Sequence, residues 1–245
     1  SSAASDVYKR QGYSAVAVQC RDGFEGAPDA APFDRIVATV GCPDLSPRWV
    51  EQLAPAGFML IPLRHAGANP LVRVWREDGK GKADELLGQV VGFSGFMAVQ
   101  GALADPSYYA SSTAQTAENP ADKERPLWPD LRGRRLDFWF YLGVRDPRTR
   151  TFRWLSSFGL ADETAGSSAR VEQDRLVGNP ALLGELDALY DEWQAFGCPD
   201  MRRFRLRFVL ADVSVAPAPA LRPAAGPWMA PGQYYHRQFA LPLDQ

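Results

Sequence analysis

With 245 residues, 27 basic and 29 acidic side chains and a formal net charge of −2, the chain has no charge excess to draw it to nucleic acid or to an anionic membrane. No apolar run approaches the roughly 18 consecutive residues needed to cross a bilayer, and no signal-peptide pattern opens the sequence. Cys20, Cys42 and Cys198 are odd in number and widely spaced, which argues against a disulfide framework or a zinc site and makes a reducing cytoplasm the expected compartment.

In chain order, Ser1 to Gln11 reads like translated sequencing adapter and is set apart as a non-native extension. Ser14 to Cys20 alternates, with Val16 and Val18 facing one way, and predicts a strand that ends at Asp22 and Gly23. These two are favoured turn residues, so an ordinary turn is as good a reading of them as a ligand site. Ile36 to Val40 is a near-continuous apolar run, expected of a parallel strand with both faces covered. Asp34 at its entrance is expected to cap a turn. Ser46 can cap a following helix with Pro47 in its first turn, and Leu45 can staple onto Val50. Pro55, Ala56 and Gly57 are expected to stop that helix, and Phe58 to Leu63 to supply the next strand through a right-handed crossover. Leu71 to Trp75 and Leu86 to Gln100 read as a β-hairpin around the charged turn Glu77 to Lys82.

Several of these residues carry a resemblance. Asp22-Gly23, then Ala31-Pro32-Phe33-Asp34-Arg35-Ile36, Pro43, Trp49 to Leu53, Pro55, Gly57 and Ile61-Pro62 fall in the order and spacing of the protein-L-isoaspartate O-methyltransferase family, over about the first two fifths of the chain. Phe96 to Gly101 is similar to the segment closing that family's catalytic domain, with Gln100 where Arg is common. The resemblance implies an α/β fold containing part of a Rossmann-like methyltransferase sheet, S-adenosylmethionine as cofactor, and a carboxylate of a protein or peptide as methyl acceptor. It further implies that Asp22, Gly23, Thr39 and Gly41 bind cofactor and that Cys42, Pro43 and Phe96 bind substrate. Arg21 stands where the family usually has glycine. The family's glycine-rich loop, ribose-binding acid and Ser/Thr-rich segment lie upstream of the position matching Gly12, so the chain is expected to be the C-terminal part of a longer protein. Two strands from that upstream region separate Ser14–Cys20 from Ile36–Val40 in the family. Here the first strand should therefore lie directly beside the second or be poorly ordered.

Residues 102–130, rich in Ser, Thr, Ala, Asn and Pro, read as a linker with a partly ordered Tyr108-Tyr109 patch. Residues 131–212 read as a smaller α+β domain. There Leu136 to Val144 is expected as an aromatic strand, with Arg150 to Phe158 returning beside it across Asp146-Pro147-Arg148 and Ser168 to Leu176 as a third. Asn179 caps the strongest helix of the sequence, with Pro180 in its first turn, Leu182, Leu183, Leu186, Leu189, Tyr190, Trp193 and Phe196 on one face, and Gly197 ending it. Arg203 to Leu210 alternates, Phe204, Leu206 and Phe208 inward and Arg203, Arg205 and Arg207 outward. A solvated face is the better reading of these arginines, and of Arg132-Gly133-Arg134-Arg135, than a phosphate or acidic-peptide site. Residues 213–245 form a Pro/Ala-rich tail, expected to be extended or disordered, from which Trp228, Tyr234, Tyr235 and Phe239 could dock on the body. Leu160-Ala161-Asp162, Gly166 to Ala169 and Gly197-x-Pro199 give the second half a fainter similarity to the C-terminal extension of isoaspartate-methyltransferase-like enzymes of peptide maturation.

Methyl transfer to a carboxylate uses a nucleophile already ionised at neutral pH, so no general base is required. That suits a chain whose two histidines, His65 and His236, sit in unpromising surroundings. No catalytic residue and no metal ligand is singled out, and Cys42 reads better as a packed thiol than as a nucleophile. The competing expectation is a non-catalytic module, with residues 131–212 binding and delivering a peptide in a modification system.

Overall fold

A computed structural model describes residues 16–77, 85–105, 121–152, 156–211, 228–230 and 234–241, with 228–230 described by backbone alone. The chain is α/β, built of a mixed seven-stranded sheet and an antiparallel five-stranded sheet. Sheet one runs β1 (Phe33–Val37), β2 (Leu53–Pro62), β3 (Asn69–Arg76), β4 (Glu85–Ser94), then β10 (Arg205–Leu210), β12 (Tyr235–Ala240) and β11 (Trp228–Ala230). Among the described strands of this sheet β1 and β2 pair in parallel and the other neighbours are antiparallel. Sheet two runs β5 (Lys123–Pro126), β9 (Arg175–Gly178), β8 (Ser167–Val171), β7 (Ser157–Asp162) and β6 (Thr149–Phe152).

The crossover forms as its residue types dictate. Ser46 Oγ accepts from the Arg48 N–H, Pro47 occupies the first turn of α1 (Pro47–Glu51), and Leu45 and Val50 are both buried. Pro55, Ala56 and Gly57 do not end the helix, because β2 already begins at Leu53. They form instead an irregularity in the β1–β2 register, where Phe33 faces Leu53 but Arg35 faces Phe58. At Gly57 the Phe33 and Asp34 carbonyls approach so closely that a Cβ would sit 2.9 and 3.0 Å from them.

Four expectations are overturned. Leu136 to Val144 is not a strand but lies in helix α2 (Arg135–Arg145). Its centre lacks the helical alternation because five consecutive residues, Phe138 to Leu142, are buried, between the two sheets. Trp139 packs on Phe93 of β4, and Phe140 on Phe204 and Phe239, toward sheet one. Phe138 meets Phe158 of β7 and Tyr190 and Trp193 of α3 (Pro180–Ala195), toward sheet two. Second, β1 is an edge strand rather than a strand covered on both faces: it ends at Val37, which is 59% exposed. Third, residues 16–20, the described part of the first expected strand, have no regular structure. Fourth, the Pro/Ala-rich tail contributes two strands, and in β12 Tyr235, Arg237 and Phe239 turn inward.

The sheets do not divide at the expected linker. β10 and β12, from beyond it, complete sheet one, and one apolar cluster runs from Leu45 and Ile61 through α2 to Leu176 and Trp193. β5 lies within residues 102–130, while the Tyr108-Tyr109 patch and most of the β3–β4 turn lie outside the described residues. The hairpin itself is present, with β4 ending at Ser94. Helix α3 follows its sequence pattern: the side-chain Oδ1 of Asn179 accepts from Ala181 N–H and Leu182 N–H, and Gly197 departs at φ +75°. Arg205 and Arg207 do point outward, but Arg135 is half-buried: its guanidinium donates to the Glu172, Val171 and Ser156 carbonyls and ties α2 to the end of sheet two.

Candidate functional site

The carboxyl ends of β1 and β2 lead into one region, assembled largely through backbone hydrogen bonds. Past β1 the chain turns through Thr39, Val40 and Gly41. Gly41 N–H donates to Met97 O at 2.7 Å and Val99 N–H to Gly41 O at 3.0 Å, a parallel bridge between Gly41 and Ala98. Cys42 N–H donates to Pro62 O at 2.8 Å and Arg64 N–H to Cys42 O at 2.7 Å, tying the same loop to the end of β2. Loop 38–46 is thereby sewn between the strap 97–102 and residues 62–64.

Asp22 reaches this region from the other side. It caps a 3-10 turn, Gly23–Glu25, its Oδ1 accepting from Phe24 N–H at 2.9 Å, while its Oδ2 accepts from Ala102 N–H at 2.9 Å. These two donors, Phe24 first, hold the exposed carboxyl below its ordinary pKa. Gly101 makes the approach possible: at φ +82°, a Cβ there would meet Asp22 Oδ2 at 2.4 Å. Gly23 borders open space, with no atom within 4 Å of where its Cβ would be.

Side chains of α1 and its flanks carry this turn. Ser46 Oγ donates to Phe24 O at 2.7 Å and Trp49 Nε1 to Gly23 O at 2.7 Å. Gln52 bridges the turn's far end, donating to Glu25 O at 2.8 Å and accepting from Ala27 N–H at 2.7 Å. The sequence marks Ser46 as a helix cap; its second bond, and the roles of Trp49 and Gln52, depend on contacts 22 to 27 residues away.

The strap thus brings Asp22, Gly23, Gly41 and Phe96 into one neighbourhood, with Thr39 two residues before Gly41. Thr39 is exposed, Pro43 half-buried, and Phe96 and Met97 are 37% and 77% exposed. Cys42 is different. It is fully buried, its thiol donates to Val40 O at 3.4 Å, and burial followed by the nearby Asp44 carboxyl pushes its pKa up to about 12. Its side chain is therefore part of the core beneath the loop and, as a thiol, a poor nucleophile.

Two buried polar residues, Asp44 within the loop and His65 beside it, were not singled out as site residues in the sequence, where His65 read as lying in unpromising surroundings. Asp44 Oδ2 accepts from Tyr234 N–H at 2.6 Å and Tyr235 N–H at 3.1 Å, and its Oδ1 from Leu45 N–H at 2.8 Å. Burial raises its pKa, opposed by Arg237 and these N–H groups. His65 lies within 3.0 Å, through Nε2, of Phe140 O in α2, and burial lowers its pKa to about 4, keeping it neutral. For Asp44 the available signal was an acid two residues before a helix cap; its partners lie about 190 residues on.

Residues 1–91 match the family model described as protein-L-isoaspartate(D-aspartate) O-methyltransferase, from the first residue of the chain. The protein-L-isoaspartate O-methyltransferase of Paramagnetospirillum magneticum is 45% identical over 65 residues, covering 25% of this chain and 30% of the relative. That of Opitutus terrae is 37% identical over 78 residues, 31% of this chain and 34% of the relative, and that of Methanosarcina mazei 34% identical over 93 residues, 36% and 38%. The chain spans about a third of the length of these curated relatives. A solved protein-L-isoaspartate O-methyltransferase aligns with 83% of this chain and 60% of its own, at 20% identity and a TM-score of 0.40.

Proposed function

We propose, from the match of residues 1–91 to the protein-L-isoaspartate(D-aspartate) O-methyltransferase family model, that this chain supplies one wall of the cleft of an S-adenosylmethionine-dependent carboxyl O-methyltransferase, acting on isoaspartyl or aspartyl residues of proteins or peptides. The observation that carries the reading is the Asp22 carboxylate, exposed, held ionised by two backbone N–H groups, and placed beside open space at Gly23. An ionised carboxylate has about four lone-pair sites. Two are taken here, so capacity remains for the amino group of an adenine, and a bare glycine admits a flat ring close to the backbone.

When bound, S-adenosylmethionine supplies an electrophilic methyl group on sulfur. Asp22 and Gly23 would hold its adenine end, and Thr39 and Gly41 would line the turn where cofactor and acceptor meet. The half-buried Pro43 and exposed Phe96 and Met97 offer an apolar rim for the acceptor peptide. An acceptor carboxylate is ionised at neutral pH, so these residues need only align and desolvate it, an effect worth up to roughly 7–11 kcal/mol of barrier. The buried Cys42 contributes packing through its side chain and loop geometry through its backbone.

The test combines calorimetry with S-adenosylmethionine and mass-spectrometric detection of a methyl ester on an isoaspartyl peptide, using this chain and the complete open reading frame that contains it. The expected results are binding and ester formation by the complete protein, with Asp22→Ala weakening cofactor affinity by about tenfold through loss of a charge-assisted hydrogen bond. A complete reading frame without a glycine-rich loop and following acid upstream of Gly12, or a complete protein that neither binds the cofactor nor forms the ester, overturns the proposal.

A further inference from the structure

The loop that carries Gly41, Cys42 and Pro43 is bolted to the far end of the chain through a closed ring of polar contacts. Asp44 accepts the Tyr234 and Tyr235 N–H groups where they lead into β12. Two residues into that strand, Arg237 is buried beside Asp44 and donates through Nη1 to Arg64 O at 2.6 Å. Arg64 N–H in turn donates to Cys42 O, two residues from Asp44, and the Arg64 side chain pairs with Asp105 beyond the strap. Phe24, in the turn capped by Asp22, packs on the Tyr234 ring at 5.7 Å. The ring therefore touches the cleft loop, the Asp22 turn and the segment following the strap.

We propose that Asp44 is a positioning residue: it fastens loop 38–46 to residues 234–237, so that the cleft wall keeps its shape only while β12 is docked. A buried carboxylate with three N–H donors and a neighbouring guanidinium is costly to assemble and costly to break by halves, which makes the joint close to all-or-none. Its consequence for methyl transfer rests on the function proposed above; the fastening itself does not. The C-terminal strand is thereby part of the cleft's mechanics rather than an appendage to it.

Cys42 supplies the readout, since its thiol lies directly under the fastened loop while Cys20 is exposed. In the native chain, a thiol reagent followed by peptide mapping is expected to label Cys20 readily and Cys42 slowly. Asp44→Ala is expected to raise the Cys42 labelling rate about tenfold to a hundredfold, the factor that follows from losing hydrogen bonds to a charged group. Arg237→Gln should raise it in the same direction, and Asp44→Asn, which retains an acceptor oxygen, should fall between native and Asp44→Ala. Amide exchange should accelerate in residues 38–46 and 234–241 while β7 and β8 keep their native rates, a localisation that general destabilisation does not produce. Unchanged Cys42 labelling in Asp44→Ala, or equal acceleration in β7 and β8, overturns the inference. Fastening found without methyl transfer by the complete protein would remove the proposed function alone. Methyl transfer found without fastening would remove this inference alone.

Discussion

The layer around α2 and the wall around Asp22 and Asp44 are stabilised by opposite means. Around α2, Phe138, Trp139, Phe140 and Tyr141 are essentially inaccessible to solvent and contact aromatic rings from both sheets and α3. Stability there is spread over a large apolar area. Around Asp22 and Asp44 it is concentrated in a few carboxylate and amide groups that accept or donate backbone hydrogen bonds across long stretches of chain. Deleting one core ring should therefore lower global stability and leave local geometry elsewhere intact, whereas deleting one carboxylate should release a loop at smaller global cost.

The largest effect expected from that contrast is in the core. Phe138→Ala, which removes a ring in contact with Phe158, Tyr190 and Trp193, should cost about 3–5 kcal/mol in urea unfolding. A loss below about 1 kcal/mol would show that the layer collapses around the cavity and would break the comparison on its apolar side.

His65 joins the two regions, and its effect should be next in size. Its folded-state pKa of about 4 lies below the ordinary 6.5. The folded chain therefore binds fewer protons than the unfolded one, and stability present above pH 6.5 is lost as pH falls toward 4. Each tenfold difference in proton affinity between the folded and unfolded chain is worth about 1.4 kcal/mol, so the loss amounts to roughly 3 kcal/mol. Asp44 and Asp137, whose pKa values burial raises, work in the opposite sense, gaining stability as pH falls. Comparing native chain with His65→Gln cancels their share, and the variant should show a flatter stability profile between pH 6.5 and 4. Parallel profiles would mean that His65 is not held neutral between the β2 end and α2.

The smallest effect sharpens the comparison at an exposed helix end. Asn179→Ala removes the acceptor for Ala181 N–H and Leu182 N–H and should cost about 1 kcal/mol by thermal or urea unfolding, with Cys42 labelling unchanged. A change in Cys42 labelling would reveal coupling between α3 and the cleft wall.

These magnitudes also mark where sequence reasoning succeeded. Ser46-Pro47 and Asn179-Pro180 start helices through contacts within three residues, and the alternation of Arg205 to Leu210 separates core from solvent along one strand, so both kinds of signal are local. The α2 run misled because continuous burial erases the periodicity that distinguishes helix from strand. β12 misled in another way: Tyr235, Arg237 and Phe239 do alternate, but the prolines of the surrounding tail outweighed them. In the candidate site, the family resemblance singled out Asp22 and Gly41, where residue type alone left Asp22 as readily an ordinary turn residue, while Ser46, Trp49 and Gln52 gained their site contacts only across 22 to 27 residues of intervening chain.

Taken alone, the sequence determined the helix caps, the β1–α1–β2 crossover, the inward face of β10 and the family resemblance of its first two fifths, because each is encoded by neighbouring residues or by ordered spacing. Only the tertiary structure decided that α2 is a helix, that β10 and β12 complete the first sheet, and that Asp44 receives the Tyr234 and Tyr235 N–H groups. Those outcomes depend on which surfaces remain to be covered and which buried charges remain to be paired once distant segments meet, and no local window of residues contains that information.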